Sequence, residues 1–70
     1  MMHEKDVRIS YAAARVNASL KQSEAAKMLG ISEATLQNYE SGKTSPNWEM
    51  HGKMSELYGI PSAMLCPPKK

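Results

Sequence analysis

Glu33, Ala34, Gln37 and Asn38 stand at i, i+1, i+4 and i+5, a spacing that gathers them on one side of a helix. An amide donates and accepts hydrogen bonds, a carboxylate only accepts them, and a small side chain leaves room for an apolar contact. Those capacities match base-pair edges in the major groove of duplex DNA. There Asn or Gln bonds adenine N6 and N7, Glu accepts from cytosine N4, and Ala meets the thymine methyl. The same four residues would also make an ordinary solvated helix face. The choice between the two rests on what surrounds them.

Other chemistry is excluded by type and spacing. A single cysteine, Cys66, forms no internal disulfide, and with His3 and His51 it gives no metal-ligand spacing, so no metal and no cofactor are expected. No Ser/His/Asp, Cys/His or paired-carboxylate constellation and no glycine-rich phosphate loop is present, and the chain does not read as an enzyme. No apolar run approaches the roughly 18 residues of a membrane span, so the expected location is the cytoplasm. A net charge of +2 is compatible with a polyanionic partner and too small to require one. Met28, Met50, Met54 and Met64 read as core residues and Trp48 as an apolar lid over that core; His51 reads as exposed, and Lys5, Arg8, Lys69 and Lys70 as solvated charges.

The elements that must hold the four residues are short. A chain of 70 residues has room for one domain and one modest core. Residues 1–9 read as an arm, 10–66 as the domain and 67–70 as a basic tail. Ser10 caps an alanine-rich helix over 11–17, with Ala13, Val16 and then Leu20 inward. A second helix over 22–29 buries Ala25, Ala26 and Leu29 and ends at Gly30. After Ile31, Ser32 caps a third, over 33–41, that turns Leu36 and Tyr39 inward and ends at Gly42. Beyond the loop Lys43-Thr44-Ser45-Pro46, Asn47 caps a fourth helix over 48–58 with Met50, Met54 and Leu57 on its inner stripe. Ile60 to Leu65 reads as a fifth helix, ended by Cys66-Pro67-Pro68. No strand pattern is seen. The fold class is all-α, five short helices.

Gln22, Ala26, Gly30, Ile31, Leu36 and Tyr39 together have the order of a helix-turn-helix: a small residue where two helices cross, a glycine at the corner, and apolar anchors on the second helix. Over residues 10–65 the chain resembles the Cro/repressor, or Xre-type, helix-turn-helix family. The resemblance is carried by Leu20-Lys21-Gln22, Ala26-Lys27-Met28-Leu29-Gly30-Ile31-Ser32, Tyr39-Glu40-Ser41-Gly42-Lys43, Ser45-Pro46 and Leu57-Tyr58-Gly59-Ile60-Pro61. It implies a five-helix, lambda-repressor-like domain and a transcription regulator bound to a double-stranded DNA operator. It also implies base-reading positions at Glu33, Ala34, Gln37 and Asn38. Backbone contacts are implied at Gln22, Lys21, Ser32, Thr35, Lys43, Thr44 and Ser45, and a structural ion pair between Arg15 and Glu40.

Two residues depart from the family pattern. Lys21 stands where Thr, Ser or Asn usually caps the second helix, and the missing acceptor costs about 1 kcal/mol unless a phosphate engages the ammonium. Glu33 sets a negative charge at the leading edge of the reading helix, suited to reading cytosine or to rejecting wrong sites. By the same analogy a homodimer on DNA is expected, with Ile60 to Leu65 as its surface. The competing readings are a protein-interaction module of this fold, such as an antitoxin or adaptor with a partner protein, and the N-terminal domain of a longer repressor.

Overall fold

The structure is a computed structural model and describes residues 8–68. Most of the expected arm (with His3 and Lys5) and the tail lysines Lys69 and Lys70 lie outside the described residues. Four helices and a pair of two-residue strands follow in the order β1 (Ile9–Ser10), α1 (Tyr11–Asn17), α2 (Gln22–Leu29), α3 (Glu33–Ser41), α4 (Trp48–Tyr58) and β2 (Leu65–Cys66).

Local chemistry sets most of these boundaries. Ser10 Oγ accepts from the Ala13 N–H at 3.1 Å, Ser32 Oγ from Thr35 at 3.0 Å, and Asn47 Oδ1 from Met50 at 2.8 Å. Lysine has no acceptor, so α2 keeps only half of a capping box: the Glu24 carboxylate accepts from the Lys21 N–H at 2.8 Å. Gly30 closes α2 in the left-handed region, at φ 74°, and hands the chain to α3 through a hydrogen bond from the Ile31 N–H to the Ala26 carbonyl at 3.0 Å.

The core joins Tyr11 and Ala14 of α1, Ala25, Ala26 and Leu29 of α2, Leu36 of α3, Met54 and Tyr58 of α4, and Leu65. Leu36 and Met54 are the largest side chains fully removed from solvent among the described residues. α2 packs on α3, and α1 packs on both α3 and α4.

The inward face of α1 differs from the expected one. Tyr11 and Ala14 are buried, with Ala18 packed behind them at the i, i+3, i+7 spacing, whereas Ala13 is exposed and Val16 is 63% exposed. Tyr11 can enter the core because its hydroxyl is satisfied there, 2.9 Å from His51 Nδ1. His51 is consequently half-buried rather than exposed, its Nε2 lying 3.0 Å from the Ser62 carbonyl. With that carbonyl taking the Nε2–H, Nδ1 accepts from the tyrosine.

The fifth helix does not form. Pro61 opens a single turn, in which Met64 and Leu65 donate to the Pro61 carbonyl at 2.9 and 3.1 Å, and the chain then extends. Leu65 and Cys66 pair in parallel with Ile9 and Ser10, and the Ile9 N–H donates to the Met64 carbonyl at 2.8 Å. A helix limited by Pro61 before it and Pro67 after it has too few residues to repay nucleation, while the extended form buries Leu65 and ties the two ends of the domain together.

Met28 and Trp48 are not core residues. They are 64% and 87% exposed.

Candidate nucleic-acid interface

The four candidate reading residues start from α3. Leu36 is buried and Tyr39 partly buried against the core, which fixes the rotation of the helix about its axis. Glu33, Ala34 and Gln37 are therefore exposed, and Asn38 is half-exposed at their edge. Glu33 occupies the first turn of α3, where a carboxylate also interacts favourably with the helix N-terminus.

Both ends of the helix are fixed. At its start, Ser32 Oγ takes the Thr35 N–H and donates its own proton to Thr35 Oγ1 at 2.8 Å, so the two candidate backbone-contacting hydroxyls form one unit. At its end, the Asn38 carbonyl accepts from Lys43 N–H at 3.0 Å, Thr44 N–H at 3.3 Å and Ser41 Oγ at 3.2 Å. These bonds lash the Lys43-Thr44-Ser45 loop, exposed at all three residues, to the outer rim of α3.

Behind α3 lies a network that sequence reasoning identifies only in part. Arg15 Nε donates to Glu40 Oε2 at 2.6 Å and Nη2 to Oε1 at 3.2 Å, a two-point grip between α1 and α3. Arg15 Nη1 adds a bond to the Leu20 carbonyl at 2.9 Å. The hydrogen bond to Glu40 raises the guanidinium pKa further, with burial opposing it and the carboxylate charge adding to it. The side chains are 15% and 8% exposed, so the pair is much less screened than a surface pair.

Gln22 joins this network, its Nε2 donating to Glu40 Oε1 at 3.0 Å. The first residue of α2 is thus linked to the last turn of α3. One amide proton is used, and the second remains for an outside acceptor. The ion pair between positions 15 and 40 is what the family resemblance implies; no spacing rule signals the bond across 18 residues between Gln22 and Glu40. Lys21, next to Gln22, is exposed.

Trp48 belongs to the surface instead of covering the core. The sequence carries a signal for this: at 100° per residue Trp48 lies about 120° around α4 from Met54, off the inner stripe.

The molecule therefore displays an exposed row of amide, carboxylate and methyl groups on α3, with Gln22 tied to the last turn of that helix beside exposed Lys21, and the exposed Lys43 loop following the same turn. No helix among the described residues is long and apolar enough to cross a membrane, and no cluster of metal-ligating side chains occurs among them.

The family model described as helix-turn-helix matches residues 12–65. A curated relative, the cryptic phage CTXphi transcriptional repressor RstR of Vibrio cholerae, is 39% identical over 51 residues, an alignment that covers 73% of this chain and 46% of that protein. The chain thus spans about half the length of the curated relative it matches. No solved structure gives a significant match.

Proposed function

Since the chain belongs to the helix-turn-helix family of Cro/C1-type transcriptional regulators, we propose that it binds an operator in duplex DNA sequence-specifically and represses transcription by occupancy. The observation that carries the reading is the solvent-facing row Glu33, Ala34 and Gln37 on an α3 whose rotation, start and end are all fixed. In this reading α3 enters the major groove. Gln37 and Asn38 bond adenine, Glu33 accepts from cytosine N4, and Ala34 meets a thymine methyl. Lys21, Gln22, Ser32, Thr35, Lys43, Thr44 and Ser45 hold the sugar-phosphate backbone and set register. Gln22 gives its second amide proton to a phosphate while Glu40 keeps the first.

Repression by occupancy requires no bond to be made or broken, so no catalytic residue is assigned. The likeness to a phage transcriptional repressor supports repression and a phage setting. Residues 10–66 act as the DNA-binding domain, in the cytoplasm, and two copies bind paired half-sites.

The test is a selection of bound sequences from random duplex DNA at two salt concentrations. An enriched motif, with affinity falling as salt rises, is expected. No enrichment and no binding at low salt would overturn the reading and bring forward the alternative, a protein-interaction module with a partner protein. Within the selected motif, Glu33→Gln is expected to tighten overall binding and relax the base choice facing that residue; an unchanged motif would remove Glu33 from the reading set.

A further inference from the structure

Trp48 is the chain's single tryptophan, and at 87% exposed it is by far the most solvent-facing large apolar side chain among the described residues. Asn47 caps the Met50 N–H at 2.8 Å, which fixes the first turn of α4 and so the direction of the Trp48 Cα–Cβ bond. The indole joins Ser45, Pro46 and Asn47 in the wall of a shallow open groove that also reaches the Tyr11–His51 pair. Ser45 closes the loop that Asn38 anchors to the rim of α3. Only Pro46 and Asn47 separate it from Trp48, three Cα–Cα steps that span at most about 11 Å. Measured along the axis of duplex DNA, that distance corresponds to at most about three base pairs of ~3.4 Å rise.

We infer that Trp48 extends the DNA interface beyond the loop: its indole lies on a deoxyribose of the strand whose phosphates meet Lys43-Thr44-Ser45, with the ring N–H directed at a phosphate oxygen. This rests on the DNA-binding reading of α3. An indole suits that position because it presents an apolar body and one donor, and the backbone offers an apolar sugar beside an anionic acceptor. A second protein copy fits the site less well. A stable interface buries about 800 Å² per partner around an apolar centre. No other strongly exposed large apolar side chain among the described residues lies on α4 or its preceding loop, where the exposed neighbours are Lys43, Thr44, Ser45, Asn47 and Glu49 and the one apolar neighbour, Pro46, is half-buried. Glu49, exposed in the same turn, means that the contact is made by the ring and not by net charge.

The experiment uses the whole chain and a duplex selected as above, carrying a fluorophore whose anisotropy reports binding independently of tryptophan emission. On addition of DNA the Trp48 emission is expected to shift and change in intensity. Trp48→Ala is expected to weaken binding about tenfold, the equivalent of some 50 Å² of apolar contact at ~25 cal/mol/Å². The slope of affinity against salt should stay unchanged, since no cation is removed. At 87% exposure the substitution leaves the fold intact, and a thermal melt of the variant checks this. Anisotropy showing tight binding with unchanged Trp48 emission, or an alanine variant that binds as well as the parent, would overturn the contact and leave the α3 reading standing. A change in the sedimentation of the free protein on Trp48→Ala would overturn it in favour of a protein partner. No binding to any duplex at low salt would remove the DNA reading, and this inference with it.

Discussion

The hydroxyl of Tyr58 sits in the core without a hydrogen-bond partner, on a residue only 4% exposed. An unpaired buried hydroxyl costs about 1–3 kcal/mol, so Tyr58→Phe is expected to leave stability unchanged or raise it by up to ~1 kcal/mol at neutral pH in a urea titration. Burial pushes the phenol up to about 12, and the Glu40 charge adds to that effect while Arg15 opposes it. The folded-state value is above the ordinary value near 10, so the contribution is intact below about pH 10 and is lost as pH rises towards 12. Over that window the parent should lose stability relative to Tyr58→Phe, by an amount on the order of 2–3 kcal/mol. Parallel curves for the two proteins would sink the idea. Arg15 and Glu40 present the opposite case, since each polar group there is paired. Arg15→Ala leaves the largely buried Glu40 carboxylate with only Gln22 as donor, and a loss of about 2–4 kcal/mol is expected. Replacing both residues by methionine should recover most of it, which an additive pair of losses would contradict.

At the scale of elements, the connection between α1 and α2 carries strain. Ser19 has φ 61°, in the left-handed region, held by its N–H on the Val16 carbonyl at 2.9 Å and by Leu20 N–H on the Arg15 carbonyl at 3.2 Å. Glycine enters that region without a Cβ penalty, so Ser19→Gly is expected to stabilise the domain by up to about 1 kcal/mol, read as a raised thermal midpoint. A lowered midpoint would mean that the serine side chain contributes more than its backbone costs. The four helices themselves are legible in the sequence because their ends are written in local chemistry: Ser10, Ser32 and Asn47 as caps, Gly30, Gly42 and Gly59 as stops. Which face turns inward is legible for α3, whose apolar residues are few and well spaced, and not for α1. There Ala12, Ala13 and Ala14 are chemically alike, and the rotation is set by Tyr11 meeting His51 and Arg15 meeting Glu40, both partners far along the chain. The extended end at Leu65–Cys66 is hidden for the same reason, since its strand partner is Ile9–Ser10. The row on α3 can be read from periodicity, and so can the place of Trp48 off the inner stripe of α4, whereas the extent of its exposure depends on which elements fail to cover it.

For the molecule as a whole, electrostatics supplies a way to count copies on DNA. The chain carries a net charge of only +2, and the cations proposed to meet the DNA backbone are Lys21 and Lys43. If each neutralises one phosphate, one copy contributes a log-log salt slope of about −1.8, at about −0.9 per phosphate, and two copies about −3.6. Removing Lys43 changes the slope by about 0.9 for every copy bound. Lys43→Ala is therefore expected to reduce the magnitude of the slope by about 1.8 on the selected operator, where two copies are proposed to sit on half-sites about one helical turn apart. On a duplex holding a single half-site the reduction should be about 0.9, with weaker binding throughout. Equal reductions on both duplexes would show that one copy suffices, and no reduction on either would move the backbone contact away from the loop after α3. Because the Lys43 N–H is tied to the Asn38 carbonyl through the main chain, the alanine variant keeps the loop where it is. The change in slope then reports the ammonium group alone.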